Sequence, residues 1–447
     1  MDILKNLPDG LILRRATTQD TDALANLQKH AFAHPDTGEL DEGITLWTRN
    51  LMSDKHPTFR PNDFLVVEDT KTRALVSCTC LISQKWNMGG ISFGVGRIEI
   101  VCTDAAYRHR GLVRQQFQIL HEWSHERGEM LQAITGIPYY YRQFGYEYAM
   151  ELAAPRKTFV PQIPQLKKDE SEKFIVRHAR QADLPFVAEM YQRGQARTLI
   201  HCERDLKMFE YEHFVEDDST DGYGSWWDVI ETTEGARVGA LCHNRYIFQG
   251  RNFVSYYEIL PKFAWDEVTP AVLRALYRQT ETMQNVDGKP FTHFGWFLAA
   301  NHPFFVWESD YSTAMWPPYA WYVRVPDLPA FLVHIAPLLE KRLTASDFQN
   351  HSDALRLNFY SSGVEIIFEN GKIASAQAWR ATAGDFGQSG FGNAVFPELT
   401  FLKILFGYRS RAELQAMFPD CIMDSDKTSA LIDVLFPKQV SNILPIH

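Results

Sequence analysis

An α+β protein of mixed sheets, with two similar strand-and-helix units in tandem and a smaller third unit behind them, is what the sequence predicts. Three observations lead there. Between Gly96 and Tyr146 a β-branched strand, a glycine turn, a helix and a second strand follow one another. After a stretch of prolines and charges (152–173), the chain restarts its own opening: Leu13-Arg14-Arg15-Ala16 with Asp20 recurs as Val176-Arg177-His178-Ala179 with Asp183. A third set of signals begins near Trp316-Pro317-Pro318. The boundaries expected are 1–155, 156–318 and 319–447.

In chain order, Leu11–Arg15 reads as a strand, and Thr17 with Asp20 three residues on reads as a helix start with Leu24 and Leu27 on the apolar face. Residues 33–63 form a long mixed segment with Asp36, Glu39, Asp41 and Glu42 ahead of Trp47; such segments are often functional, and this one suits a cationic acceptor. Strands are expected at 64–68 and 74–83. The central stretch has a strand at 98–103, an arginine-rich turn ending in Gly111, and a helix from Leu112 to about Arg127 with Val113, Phe117 and Leu120 three and four apart. Gly128 ends that helix. A strand at 131–135 and three tyrosines, Tyr139 to Tyr141, precede Gly145. The second unit has no such turn, because PKFAWDEVTP follows 256–260 without glycine or an arginine cluster. In the third, Leu332, Ile335, Leu338 and Leu339 mark a helix, and Asn370-Gly371 joins two strands as a hairpin. Helices near 400–406, 411–417 and 429–435 close the chain.

At 447 residues the chain is long enough for two to four domains, and 45% hydrophobic with 13% aromatic residues suits packed cores rather than disorder. The net charge of −10 speaks against nucleic-acid binding. Six cysteines without a CxxC pair suit buried thiols in a reducing compartment. The opening MDILKNLPDG is too polar for a signal peptide, and no run approaches membrane-spanning length. A cytoplasmic protein without a membrane partner is expected.

Strand, glycine turn and helix start together make an anion site, since the amides of a first helical turn point outward and the helix dipole favours negative charge there. Arg108, Arg110 and Arg114 add cations around it. One competing motif is His121-Glu122-Trp123-Ser124-His125, which has the HExxH spacing of zinc peptidases. The helical wheel places its histidines away from the Val113–Phe117–Leu120 stripe, towards solvent, and no third ligand accompanies them. No metal is expected.

The string T-D-A-A-Y-R-H-R-G-L followed by Y-R-Q-F-G-Y resembles the GNAT (Gcn5-related) N-acetyltransferases. Their Gln/Arg-x-x-Gly-x-Gly/Ala signature reads here Arg108-His109-Arg110-Gly111-Leu112-Val113. Valine in the last place, followed by Arg114, is similar to the Eis-like (enhanced intracellular survival) subgroup. That resemblance implies a catalytic GNAT domain, a degenerate GNAT domain and a C-terminal sterol-carrier-protein-like domain in tandem. It implies acetyl-CoA as co-substrate, paired to the main chain at Val101 and Thr103. The diphosphate would lie on the amides of His109, Arg110, Gly111, Leu112 and Val113, with Arg108, Arg110 and Arg114 around it. Tyr141 falls on the family tyrosine that protonates the departing thiolate, with Tyr139 and Tyr140 as alternatives. The base deprotonating the amine is either the chain-terminal carboxylate of His447, as the subgroup suggests, or Glu99. In a regular strand Glu99 shares a face with Val101 and Thr103, and a bulge would reverse that parity. The acceptor implied is a primary amine, such as an aminoglycoside, a polyamine or a lysine side chain. A homo-oligomer is implied too, hexameric in three-domain relatives. The alternatives are a non-catalytic CoA- or lipid-binding module and a zinc hydrolase.

Overall fold

The computed structural model describes residues 2–153, 155–215, 224–307, 313–314, 319–382 and 390–444. His447 lies outside the described residues. The first sheet is built from β1 (Ile3–Asn6), β2 (Leu11–Arg15), β3 (Phe64–Asp69), β4 (Leu75–Met88), β5 (Ile91–Thr103), β6 (Leu131–Ile134) and β7 (Glu147–Glu151). Neighbours pair antiparallel from β1 to β5, whereas β5 and β6 run parallel. One face carries α1 (Thr21–Ala31) and α2 (Glu42–Met52), and the other carries α3 (Leu112–Glu126).

Local chemistry sets these elements. Thr17 and Asp20 form a reciprocal cap ahead of α1, and Asp41 caps α2 by accepting from the Ile44 amide at 3.0 Å. The mixed segment 33–63 therefore contains a helix that its sequence pattern hides. Gly128 takes φ +69° and ends α3, its amide donating to His125.

The second sheet repeats the first. Its strands 174–178, 225–232, 237–244 and 251–259 pair antiparallel in that order, and 251–259 then pairs parallel with 293–296. The sequence repeat has a physical cause. Arg14 binds Asp20 at 2.7 Å and Glu68 at 2.8 Å, and Arg177 binds Asp183 at 2.7 Å and Glu231 at 2.6 Å. All three members recur at one constant interval. Where the first unit opens a glycine turn, the second packs Tyr257 against Trp265 at 4.9 Å and Trp265 against His302 at 5.1 Å.

Two sequence readings, the linker at 152–173 and the boundary at 318/319, differ from the strand pairing. Strand 156–159, inside the stretch read as a linker, joins the second sheet. Strand 320–324, placed by sequence in the third unit, sits between β6 and β7 and completes the first sheet. Its Ala-Trp-Tyr-Val core is fully buried there, which a free linker could not achieve. The third unit has a sheet in the order 372–378, 363–369, 354–358, 394–395, 422–423, with the Asn370-Gly371 hairpin at φ +52° and +74°. It packs on the first unit through Phe93–Phe331 at 5.3 Å and Lys403–Glu147 at 2.9 Å.

His302 ties pH to stability. Its Nε2 lies 2.7 Å from the Tyr257 carbonyl and its Nδ1 accepts from the Phe304 amide, so the buried ring is neutral. Burial lowers its pKa to about 3 from 6.5. A folded value below the unfolded one gives stability that is present above about 6.5 and lost as pH falls from there towards about 3. Unfolding free energies from urea titrations should therefore fall between pH 7 and 5 by up to about 2 kcal/mol more in the wild type than in His302→Gln. Among the described residues no helix is long and apolar enough to cross a membrane.

Candidate active site

The site begins with a splay. Among the described residues β5 and β6 pair from Val95 with Leu131 to Arg97 with Ala133, after which β5 runs on to Thr103 with no strand on that edge. Its main chain is thus available to an extended ligand. At the same point β5 bulges: the register to β4 shifts between Cys78 and Cys80, and Ile100 takes φ +53°. The bulge reverses the side-chain parity. Glu99 and Arg97 face the α2 side, while Val101 joins the core under α3.

Two cavities result. One, of about 700 Å³, collects Val101, Thr103, Arg108, His109, Arg110, Gly111, Leu112, Val113 and Arg114 together with Tyr140 and Tyr141. Gly111 caps α3 at φ +73°, and a Cβ there would meet nothing within 4 Å. The space over the helix start is therefore open, and the first-turn amides lack an intrahelical acceptor. His109 also adopts a positive φ, +63°, which turns the loop around that space. The three arginines are exposed and lightly held. Arg108 Nε donates to the Thr103 carbonyl at 3.4 Å, Arg110 lies 3.6 Å from Asp9, and Arg114 donates to Gln143 at 2.9 Å. Amides, open space and three cations fit a diphosphate.

Tyr141 closes the inner end of this cavity. Its ring is packed by Phe117 at 6.0 Å and by Tyr322 of strand 320–324 at 5.4 Å, and only 4% of it is exposed. No hydrogen bond to its hydroxyl occurs among the described residues. Burial, and secondarily Glu99, raises its pKa, so the phenol keeps its proton. Tyr140 lines the same cavity, but Tyr139 is 75% exposed and turns away from it.

The second cavity, about 680 Å³, lies on the opposite side of the bulge and shares Phe32 with the first. Glu39, Asp41, Glu42 and Glu99 line it, against Arg97. Asp36 is exposed and outside this lining. Arg97 donates to Glu99 at 2.8 Å, yet burial outweighs that pairing and raises the Glu99 pKa. The far wall comes from the second unit, through Ser225, Asn244, Tyr246 and Phe248. Sequence reasoning missed these residues, since no local pattern connects them to β5.

The HExxH histidines do not share a face as expected. His121 turns inward, Nε2 at 2.8 Å from the Tyr146 hydroxyl and its pKa lowered by burial to about 3, whereas His125 is exposed. The histidine side chain covers the turn preceding its own Cα, which brings it over Phe117. Among the described residues no cluster of three His, Cys, Asp or Glu could hold a metal ion.

Residues 13–149 match the acetyltransferase (GNAT) domain family. That span contains the splay, both tyrosines, Glu99 and the cradle. No curated protein matches the chain in sequence. The fold is similar along its length to an Enterococcus faecalis protein described as a probable N-acyltransferase, at 15% identity and TM-score 0.64, covering 96% of this chain and 97% of that one. It is similar to Eis1 of Mycobacterium abscessus at 10% identity and TM-score 0.60, covering 96% and 98%. It also resembles Saccharomyces cerevisiae N-myristoyltransferase with bound myristoyl-CoA, at 13% identity and TM-score 0.53, covering 72% and 85%. At these identities the likeness is one of fold.

Proposed function

We propose that this acyltransferase, with its GNAT domain over residues 13–149, moves an acetyl group from acetyl-CoA to a primary amine by direct attack. The observation that carries the reading is the meeting of two cavities at Phe32, one basic with Tyr141 and one acidic with Glu99. Acetyl-CoA supplies an activated thioester. Arg108, Arg110, Arg114 and the amides from His109 to Val113 hold its diphosphate, and the free edge of β5 at Val101 and Thr103 pairs with its amide chain. Glu39, Glu42 and Glu99 hold the cationic acceptor. Glu99 takes the proton from the ammonium group, because a carboxylate raised by burial is a stronger base. Tyr141 gives its proton to the departing sulfur. The chain-terminal carboxylate of His447 is the other base in this reading. Thiol release from acetyl-CoA against a panel of amines tests it; binding without turnover on any amine would leave a binding module instead.

Two further results are expected. A base must be deprotonated to act, so kcat/KM rises with pH through the Glu99 pKa, along a limb above the ordinary carboxylate value of 4.5. Glu99→Gln removes that limb, and deletion of 445–447 leaves it intact; the reverse pattern would assign the base to His447. Glu39→Gln raises KM for a diamine severalfold with little change in kcat, because it removes attraction equal in ground and transition states. A homo-oligomer, a degenerate second GNAT domain and a sterol-carrier-like third unit belong to the same proposal. Their support is the repeated strand order of the second sheet and the likeness to Eis1 in fold; sedimentation of the full chain measures the oligomer.

A further inference from the structure

Where the three units meet there is another cavity, of about 740 Å³, that shares no lining residue with either part of the candidate active site. Arg197, Lys341, Arg342 and Lys438 line it against one carboxylate, Glu151. Two of these cations are already matched: Arg197 pairs with Glu258, and Lys438 with Glu413 at 2.5 Å. The other two are not. Arg342 donates to neutral acceptors, the Leu435 carbonyl at 2.6 Å and Gln439 Oε1 at 2.8 Å. Among the described residues no carboxylate pairs with it or with Lys341, one position earlier on the helix 336–344. Burial alone lowers the guanidinium pKa to about 10, so it remains charged at neutral pH.

A half-buried cation without a counter-charge is costly, and an anion seated beside it offsets that cost. A second observation points the same way. Ser441, which also lines the cavity, is 4% exposed and its hydroxyl has no hydrogen-bond partner among the described residues. Leu338, Phe406 and Tyr408 line the same cavity and add apolar surface, which suits a ligand with a carbon body rather than a bare ion. We propose that this junction binds a small organic oxyanion, a phosphate monoester or a carboxylate, with its charged end on Arg342 and Lys341. Because the cavity draws on all three units, occupancy stabilises their joint arrangement through linkage.

The experiment is calorimetric titration of the full chain carrying Arg108→Gln and Arg110→Gln, which silences the diphosphate cradle. The probes are phenyl phosphate and benzoate. Binding of either, weakened about tenfold or more by adding Lys341→Gln and Arg342→Gln, is the expected result, and the tighter probe tells phosphate from carboxylate. Should the Arg342 variant fail to fold, Lys341→Glu alone, at an exposed position, must weaken binding to a similar degree. No binding of either probe, or binding indifferent to these substitutions, overturns the proposal.

Discussion

Replacing Tyr141 with phenylalanine is expected to lower kcat for acyl transfer by about 10²- to 10³-fold, the range that general acid catalysis supplies. Affinity for acetyl-CoA and thermal stability should change little. The expectation follows from what the hydroxyl does in the free protein. The ring holds its place through Phe117 and Tyr322, while the hydroxyl has no hydrogen bond among the described residues. Its removal therefore leaves no buried group unpaired, and the usual cost of such a loss is absent. Burial raises the phenol pKa, so the proton is present at neutral pH. The same burial raises the basicity of a thiolate leaving beside it, which keeps the transfer favourable. Tyr140→Phe is the control, since Tyr140 lines the same cavity and packs against Tyr141 at 5.2 Å. Loss of rate in Tyr140→Phe with retention in Tyr141→Phe would move the acid to the neighbouring position.

The second large effect concerns the cradle. Arg108→Gln with Arg110→Gln should weaken acetyl-CoA binding by about 100-fold, on the scale of charge-assisted hydrogen bonds to a phosphate. Both side chains are exposed and make few contacts: Arg108 donates to the Thr103 carbonyl at 3.4 Å, and Arg110 donates to the Ala106 carbonyl at 3.2 Å and lies 3.6 Å from Asp9. The fold should tolerate the change, and melting temperature reads that directly. Salt gives an independent readout: exposed charges are screened, so wild-type affinity falls with ionic strength and the double variant responds less. Equal salt dependence in both proteins would remove these arginines from the diphosphate site.

The cradle was legible in the sequence because its chemistry is local. Gly111 needs its left-handed conformation, the arginines lie within one turn of it, and α3 begins at the next residue. The repeat was legible for a related reason: Arg14–Asp20 and Arg177–Asp183 are short-range ion pairs. Their third partners, Glu68 and Glu231, come from distant strands and left no local signal. Strand 320–324 was misplaced because sequence order does not report a long excursion that returns to fill a gap between β6 and β7. The facing of Glu99 hung on a single residue, Ile100, whose positive φ nothing in the side-chain pattern requires. The acceptor wall was invisible for the same reason of range, since Tyr246 and Phe248 approach β5 only through docking of the second unit.

A crystal structure of the protein with CoA and an unreactive diamine addresses the central claim most directly. The expected result is the diphosphate on the first-turn amides of α3, the thiol within hydrogen-bond reach of the Tyr141 hydroxyl, and the amine beside Glu99 across Phe32. CoA seated elsewhere, or a thiol beyond reach of Tyr141, would contradict it.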